Sequence, residues 1–125
     1  MKKLVLFVFL MIISCTYKEE LLRVSFVELL ADPGRFEGHR IQVFGYFTMG
    51  IGSEIFLDEI HAVFGDVASS IRVIDRTHSG EMTINCNDKY VNVRATFEMY
   101  KGQYSLVNVE KIDVQGSAPC FIRDE

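Results

Sequence analysis

Three cysteines and three histidines are the side chains in this 125-residue sequence best suited to chemistry, and their spacing decides what that chemistry can be. Hydrolysis and group transfer need a nucleophile beside a base, or a metal held by several ligands. His39 follows Gly38 at a turn, His61 lies in the segment Asp58-Glu59-Ile60-His61, and His78 precedes Ser79 in a polar stretch. None of these shows the short helical pairing that binds zinc, and an acidic turn with one histidine is mostly a solvated surface. Cys86 would act as a nucleophile only as a free thiolate, and Cys120 offers it a different partner. No catalytic residue, metal ligand or cofactor is therefore expected, and a small metal- or thiol-dependent enzyme is the last of three functional readings.

The third cysteine belongs to a different chemistry. Lys2 and Lys3 open the chain, Leu4 to Ile13 is an unbroken apolar run of ten residues, and Ser14-Cys15 closes it with small side chains. That layout reads as an export signal, since a bilayer span takes about 20 apolar residues. The tetrad Ile12-Ile13-Ser14-Cys15 resembles the lipobox of bacterial lipoproteins. The resemblance implies cleavage after residue 14, diacylation of Cys15 and stable membrane anchoring through two or three acyl chains. An ordinary signal peptide with an incidental cysteine is the competing reading. In Gram-negative sorting an Asp directly after the lipidated Cys retains the protein in the inner membrane. Thr16 stands there, which implies the outer membrane with the domain facing the periplasm.

Without Lys2 and Lys3 the chain keeps 11 basic against 17 acidic residues. A net-negative domain lacks the long-range attraction that starts binding to phosphate backbones, which argues against nucleic acid as a partner. In an oxidising compartment Cys86 and Cys120 form an even pair for which a bridge is permitted. A tight turn at Lys101-Gly102 places the start of one strand beside the end of the next, and the two cysteines lie about 15 residues before and about 18 after that turn. Two buried free thiols are the alternative.

These residues have to be placed by one small domain. Residues 15–24 read as a tether and 25–125 as the domain. Ser25 and Glu28 match a capping box ahead of a short helix carrying Phe26, Val27, Leu29 and Leu30, which Asp32-Pro33-Gly34 stops. Ile41, Val43, Gly45 and Phe47 alternate with polar and aromatic residues as a strand, with a bend or bulge expected at Gly45. Residues 54–57, 70–75, 90–99 and 104–114 read as four more strands, and 58–64 as one helical turn. Residues 76–87 read as a polar loop. The alternation of the last strand slips by one residue, which predicts a β-bulge near Glu110-Lys111.

The runs Val43-Phe44-Gly45-Tyr46, Ile55-Phe56-Leu57-Asp58, Ile71-Arg72-Val73, Tyr90-Val91-Asn92-Val93 and Leu106 to Ile112 resemble the strand pattern of OB-fold barrels, particularly small exported bacterial ones. The fold expectation is thus mainly β, a small five-stranded OB-fold-like barrel with an N-terminal helix, preceded by a lipoprotein signal peptide. The resemblance implies ligand contact on the second and third strands and in the loops joining strands one to two and four to five. Phe44, Tyr46, Phe56 and Arg72 stand there, with Arg94 on the polar face of the fourth strand. Aromatics interleaved with arginine suit stacking on sugars or peptides. The competing reading packs Phe44, Tyr46 and Phe56 beneath the leader helix and the barrel ends.

Two readings precede the enzyme. The first is a membrane-anchored, non-catalytic binding or accessory lipoprotein with an envelope protein or glycan as partner. The second is an immunity-type inhibitor whose acidic surface steers it onto a basic periplasmic toxin.

Overall fold

Alternation in the central strand sets the architecture. Ile41, Val43, Gly45 and Phe47 are buried, while the residues between them face outward. They belong to β2 (Arg40–Met49) in a computed structural model that describes residues 20–50 and 52–124. The leader and the first half of the expected tether, residues 15–19 with Cys15, lie outside the described residues. The last part of that tether is not free chain: Leu21–Arg23 forms β1, parallel to the start of β2 with Leu21 opposite Arg40, and Val24 is buried.

Helix α1 (Phe26–Ala31) follows and starts as its sequence predicts. The Glu28 amide donates to Ser25 Oγ at 3.1 Å and the Ser25 amide to Glu28 Oε2 at 3.2 Å, so two orphan donors of the first turn are satisfied reciprocally. Phe26 and Leu29 point into the core. A 3-10 turn, Pro33–Phe36, then adds Phe36.

The remaining elements are β3 (Ser53–Phe56), α2 (Glu59–Val63), β4 (Ser70–Val73), α3 (Glu81–Cys86), β5 (Lys89–Tyr100), β6 (Gln103–Val114) and β7 (Pro119–Ile122). The fold is mainly β, with seven strands in one sheet among the described residues, two more than the five read from the sequence. Those two, β1 and β7, are too short to display a period; backbone pairing with β2 and β6 defines them. The path of pairings runs β2, β3, β4, β6, β5 and returns to β2, whose residues Arg40 to Phe47 pair with β5 while Tyr46 to Met49 pair with β3. All these contacts are antiparallel except β4 with β6.

Two local expectations change. Gly45 carries no bulge, because the β2–β5 ladder runs through it, opposite Val91, without a register shift. Its role is close approach: a Cβ there would lie 2.6 Å from the Phe56 carbonyl oxygen and 2.7 Å from Ile55 Cγ1. Residues 76–87 are not simply a loop. Met82 and Cys86, four apart, bury one face of α3, and Asp75 ties the approach to it by accepting from Thr77 and Thr83 through both side-chain and backbone donors. The bulge of β6 does occur, slightly earlier than expected. Arg94 faces Lys111 but Thr96 faces Val107, so three residues, Asn108 to Glu110, stand opposite the single Ala95, with Asn108 at φ 48°. The hairpin at Lys101-Gly102 has both residues at positive φ, the conformation that matches the twist of paired strands.

The core gathers Ile41, Val43, Phe47, Ile55, Val91, Val93, Phe97, Leu106 and Ile112 from the sheet, closed over by Leu29, Met82 and Cys86.

Candidate functional site

The outward residues of β2 and β5 face each other in register: Gln42 with Arg94, Phe44 with Asn92, Tyr46 with Tyr90. This brings three aromatic rings together on the outside of the sheet. Phe44 and Tyr90 stack with centroids 5.8 Å apart and planes 7° from parallel, and Tyr46 meets Tyr90 edge-on at 5.0 Å. Phe44 is 39% exposed, so the stack is available to a partner and not part of the core. Phe56, opposite Tyr46 on β3, is only 3% exposed and presents no surface.

Acidic groups border this cluster. Burial pushes the Tyr46 phenol up, and Asp88 and Glu59 push it further, so it stays neutral in a negative local field. The Glu59 amide donates to the Tyr90 hydroxyl at 3.0 Å, which fastens the start of α2 to β5. Asp88 accepts from Thr48 Oγ1 at 2.9 Å.

The two arginines singled out from the sequence take separate places. Arg94 lies half-buried one register step beyond Phe44, its Nη2 donating to Gln42 Oε1 at 3.4 Å. Beyond it Arg40 clasps Glu110 through two bonds of 2.9 and 2.7 Å, and that clasp holds the Glu110 carboxyl below its usual range even though burial opposes the shift. Arg72 is elsewhere, in a groove of about 240 Å³ with Leu30, Pro33 and Tyr104. The expected five-residue ligand face therefore divides: Phe44, Tyr46 and Arg94 share one surface, joined by Tyr90, which the sequence reading placed in a strand but not at the site. Its signal was present, since an aromatic at the entry of the fourth strand pairs with Tyr46 once the two strands are aligned.

Cys86 and Cys120 stand at disulfide distance, 2.09 Å between sulfurs. Beside them a groove of about 580 Å³ runs between α3 and β7, with Ile74, Met82 and Phe121 below and Arg76, Glu81 and Arg123 among its charged walls. Of the histidines, His61 is held by Asp58 at 2.6 Å, and the His61 amide, followed by that side-chain contact, keeps the Asp58 carboxyl low. Among the described residues no group of three or more His, Cys, Asp or Glu is placed to hold a metal ion. No protein-family model, curated protein or solved structure matches the chain.

Proposed function

We propose that this protein is a lipid-anchored, non-catalytic binding protein of the bacterial envelope, whose domain is an OB-fold-like barrel that engages a protein or glycan through the outer face of β2 and β5. The observation that carries the binding role is the exposed Phe44–Tyr90 stack with Tyr46 against its edge. Aromatic rings held in fixed geometry on a sheet surface supply contact area at little cost in side-chain entropy, which is why they concentrate at recognition sites. The barrel reading is supported by five strands whose pairings return to the first, with a helix between the third and fourth. Anchoring is supported by the signal-like residues 1–15 and the lipobox-like Ile12-Ile13-Ser14-Cys15.

Two variants test the two halves separately. Cys15→Ala is expected to abolish both acyl labelling and retention with membranes while leaving the domain folded; a variant that still partitions with membranes, beside a parent that takes up no label, overturns the anchor. Crosslinked envelope fractions captured with the parent and with Phe44→Ser/Tyr90→Ser should differ by a discrete partner. Identical captures overturn the aromatic face.

A further inference from the structure

The excursion between β3 and β4 is unusual in what it leaves outside. Its base is closed by the Leu57 amide donating to the Ser69 carbonyl at 3.1 Å, so residues 58–68 project as a compact loop fixed at both ends. Inside it Asp58 caps α2 by accepting from the His61 amide, and the Gly65 and Asp66 amides close the following turn on Ala62 and His61. The segment is thus well held by hydrogen bonds. Yet α2 buries no residue at all. Ile60 is 66% exposed, Val63 75%, Phe64 81% and Val67 71%. Ile60, Val63 and Phe64, at i, i+3 and i+4, share one side of the short helix and face solvent instead of a core, and Val67 follows them beyond the left-handed Gly65 in a separate 3-10 turn. Isolated exposed apolar residues are ordinary, but four in eight positions of an ordered loop form a patch of the kind that marks an interaction surface.

The charges around the patch identify its occupant. Asp58, Glu59 and Asp66 lie within the same excursion, and His61, which contacts both aspartates, is its sole basic residue. Asp88 adds to the negative field where α2 meets Tyr90. Such a rim repels an anionic bilayer surface, and it repels a second copy of itself. It attracts cations, and complementary charge both speeds encounter and selects the partner.

We propose that residues 58–68 are a docking surface for a cationic amphipathic segment of a partner protein, apolar side chains seated on Ile60, Val63, Phe64 and Val67 and basic ones on Asp58, Glu59 and Asp66. This rests on the binding-protein reading and gives its partner a chemical class.

The test uses the full chain in phosphatidylcholine nanodiscs and two synthetic amphipathic helices, one of Leu and Lys and one of Leu and Glu, followed by fluorescence anisotropy. The Leu/Lys helix should bind, weaken at least tenfold with Val63→Ser or Phe64→Ser, and weaken about fivefold with a flatter salt dependence in Glu59→Gln/Asp66→Asn. Glu37→Gln, a distant exposed carboxylate, should change nothing. Equal binding of the two helices, or unchanged affinity in both Ser variants, overturns the proposal. Crosslinks between copies in native membranes that vanish with Phe64→Ser assign the patch to self-association and overturn it too. If the envelope partner is lost with Phe44→Ser/Tyr90→Ser but the Leu/Lys helix binds both Ser variants at full strength, the docking surface fails while the binding role stands.

Discussion

The Cα atoms of Cys86 and Cys120 lie 5.4 Å apart although 34 positions separate them in the chain. Cys86 ends α3 and is fully buried, while Cys120 sits in β7 on the outer edge of β6. The separation falls within the range that a disulfide spans without backbone movement.

Protein made in an oxidising compartment is therefore expected to carry the bridge. Intact-mass analysis after denaturing alkylation, with and without reductant, should show two masked thiols that reduction releases. Cys86→Ser/Cys120→Ser should lower unfolding stability by about 3–4 kcal/mol on the chain-entropy account. Two freely alkylated thiols in unreduced protein would rule the bridge out.

Alternation along β5 gives a sharper contrast. Val93 and Phe97 are buried, whereas Asn92 and Thr96 face outward. Val93→Asp and Phe97→Asp should each cost about 3 kcal/mol or more, because a carboxylate placed there has no partner, while Asn92→Asp and Thr96→Asp should stay within about 0.5 kcal/mol. Urea unfolding of the four variants decides; similar losses on both faces would contradict the strand's orientation.

Gly45 and Gly52 make a matched pair. A Cβ at Gly45 meets backbone oxygen at 2.6 Å, and one at Gly52 meets nothing within 4 Å. Gly45→Ala should destabilise by about 1–3 kcal/mol through overpacking, with Gly52→Ala close to neutral. Thermal melts in which the two variants coincide would refute the close packing of β2 on β3.

Acid should weaken the fold through two carboxylates. Arg40 holds Glu110 ionised against burial; at Asp75 burial is the largest influence and raises the pKa, but the donors of Thr77 and Thr83 together outweigh it. Both folded pKa values lie below the ordinary ones, so both groups stabilise the fold above pH of about 4.5 and lose that contribution as pH falls through the folded values. Melting temperature should be flat from pH 7 to about 5 and decline below about 4, with a shallower decline in Glu110→Gln and in Asp75→Asn. A slope untouched by either substitution would show that other groups govern acid unfolding.

Period and capping made much of this fold readable. The Ser25/Glu28 box, the alternations of β2 and β5, the Lys101-Gly102 turn and the slip in β6 are local signals that a single segment carries. β1 and β7 were not readable, because three or four residues cannot display a period and their pairing depends on distant edges. Helix α3 was hidden by its polar residues, with only Met82 and Cys86 marking the buried face. At the candidate site, Phe44 and Tyr46 were legible as outward aromatics, but Tyr90 joins them only through the β2–β5 register, and Arg72 departs from them for the same reason. Ile60, Val63 and Phe64 had a legible helical spacing; that they face solvent depends on the sheet leaving α2 nothing to cover.

The return of the pairings to β2 also sets an order of events. Arg40 pairs with Thr96 and Phe47 with Lys89, so a strand made early acquires its longest ladder only after most of the chain has been synthesised. Contacts this distant in sequence form slowly, since the intervening chain must surrender its freedom before any pairing rewards it. A nascent chain ending before β5 can pair Arg40 to Gln42 only with β1 and leaves Val43 to Gly45 without a strand partner, and Cys86 waits longer still for a residue in the final strand. Such a polypeptide cannot close its circuit of pairings until it is nearly whole, so its longest ladder and its cysteine pair are both settled after synthesis, not during it.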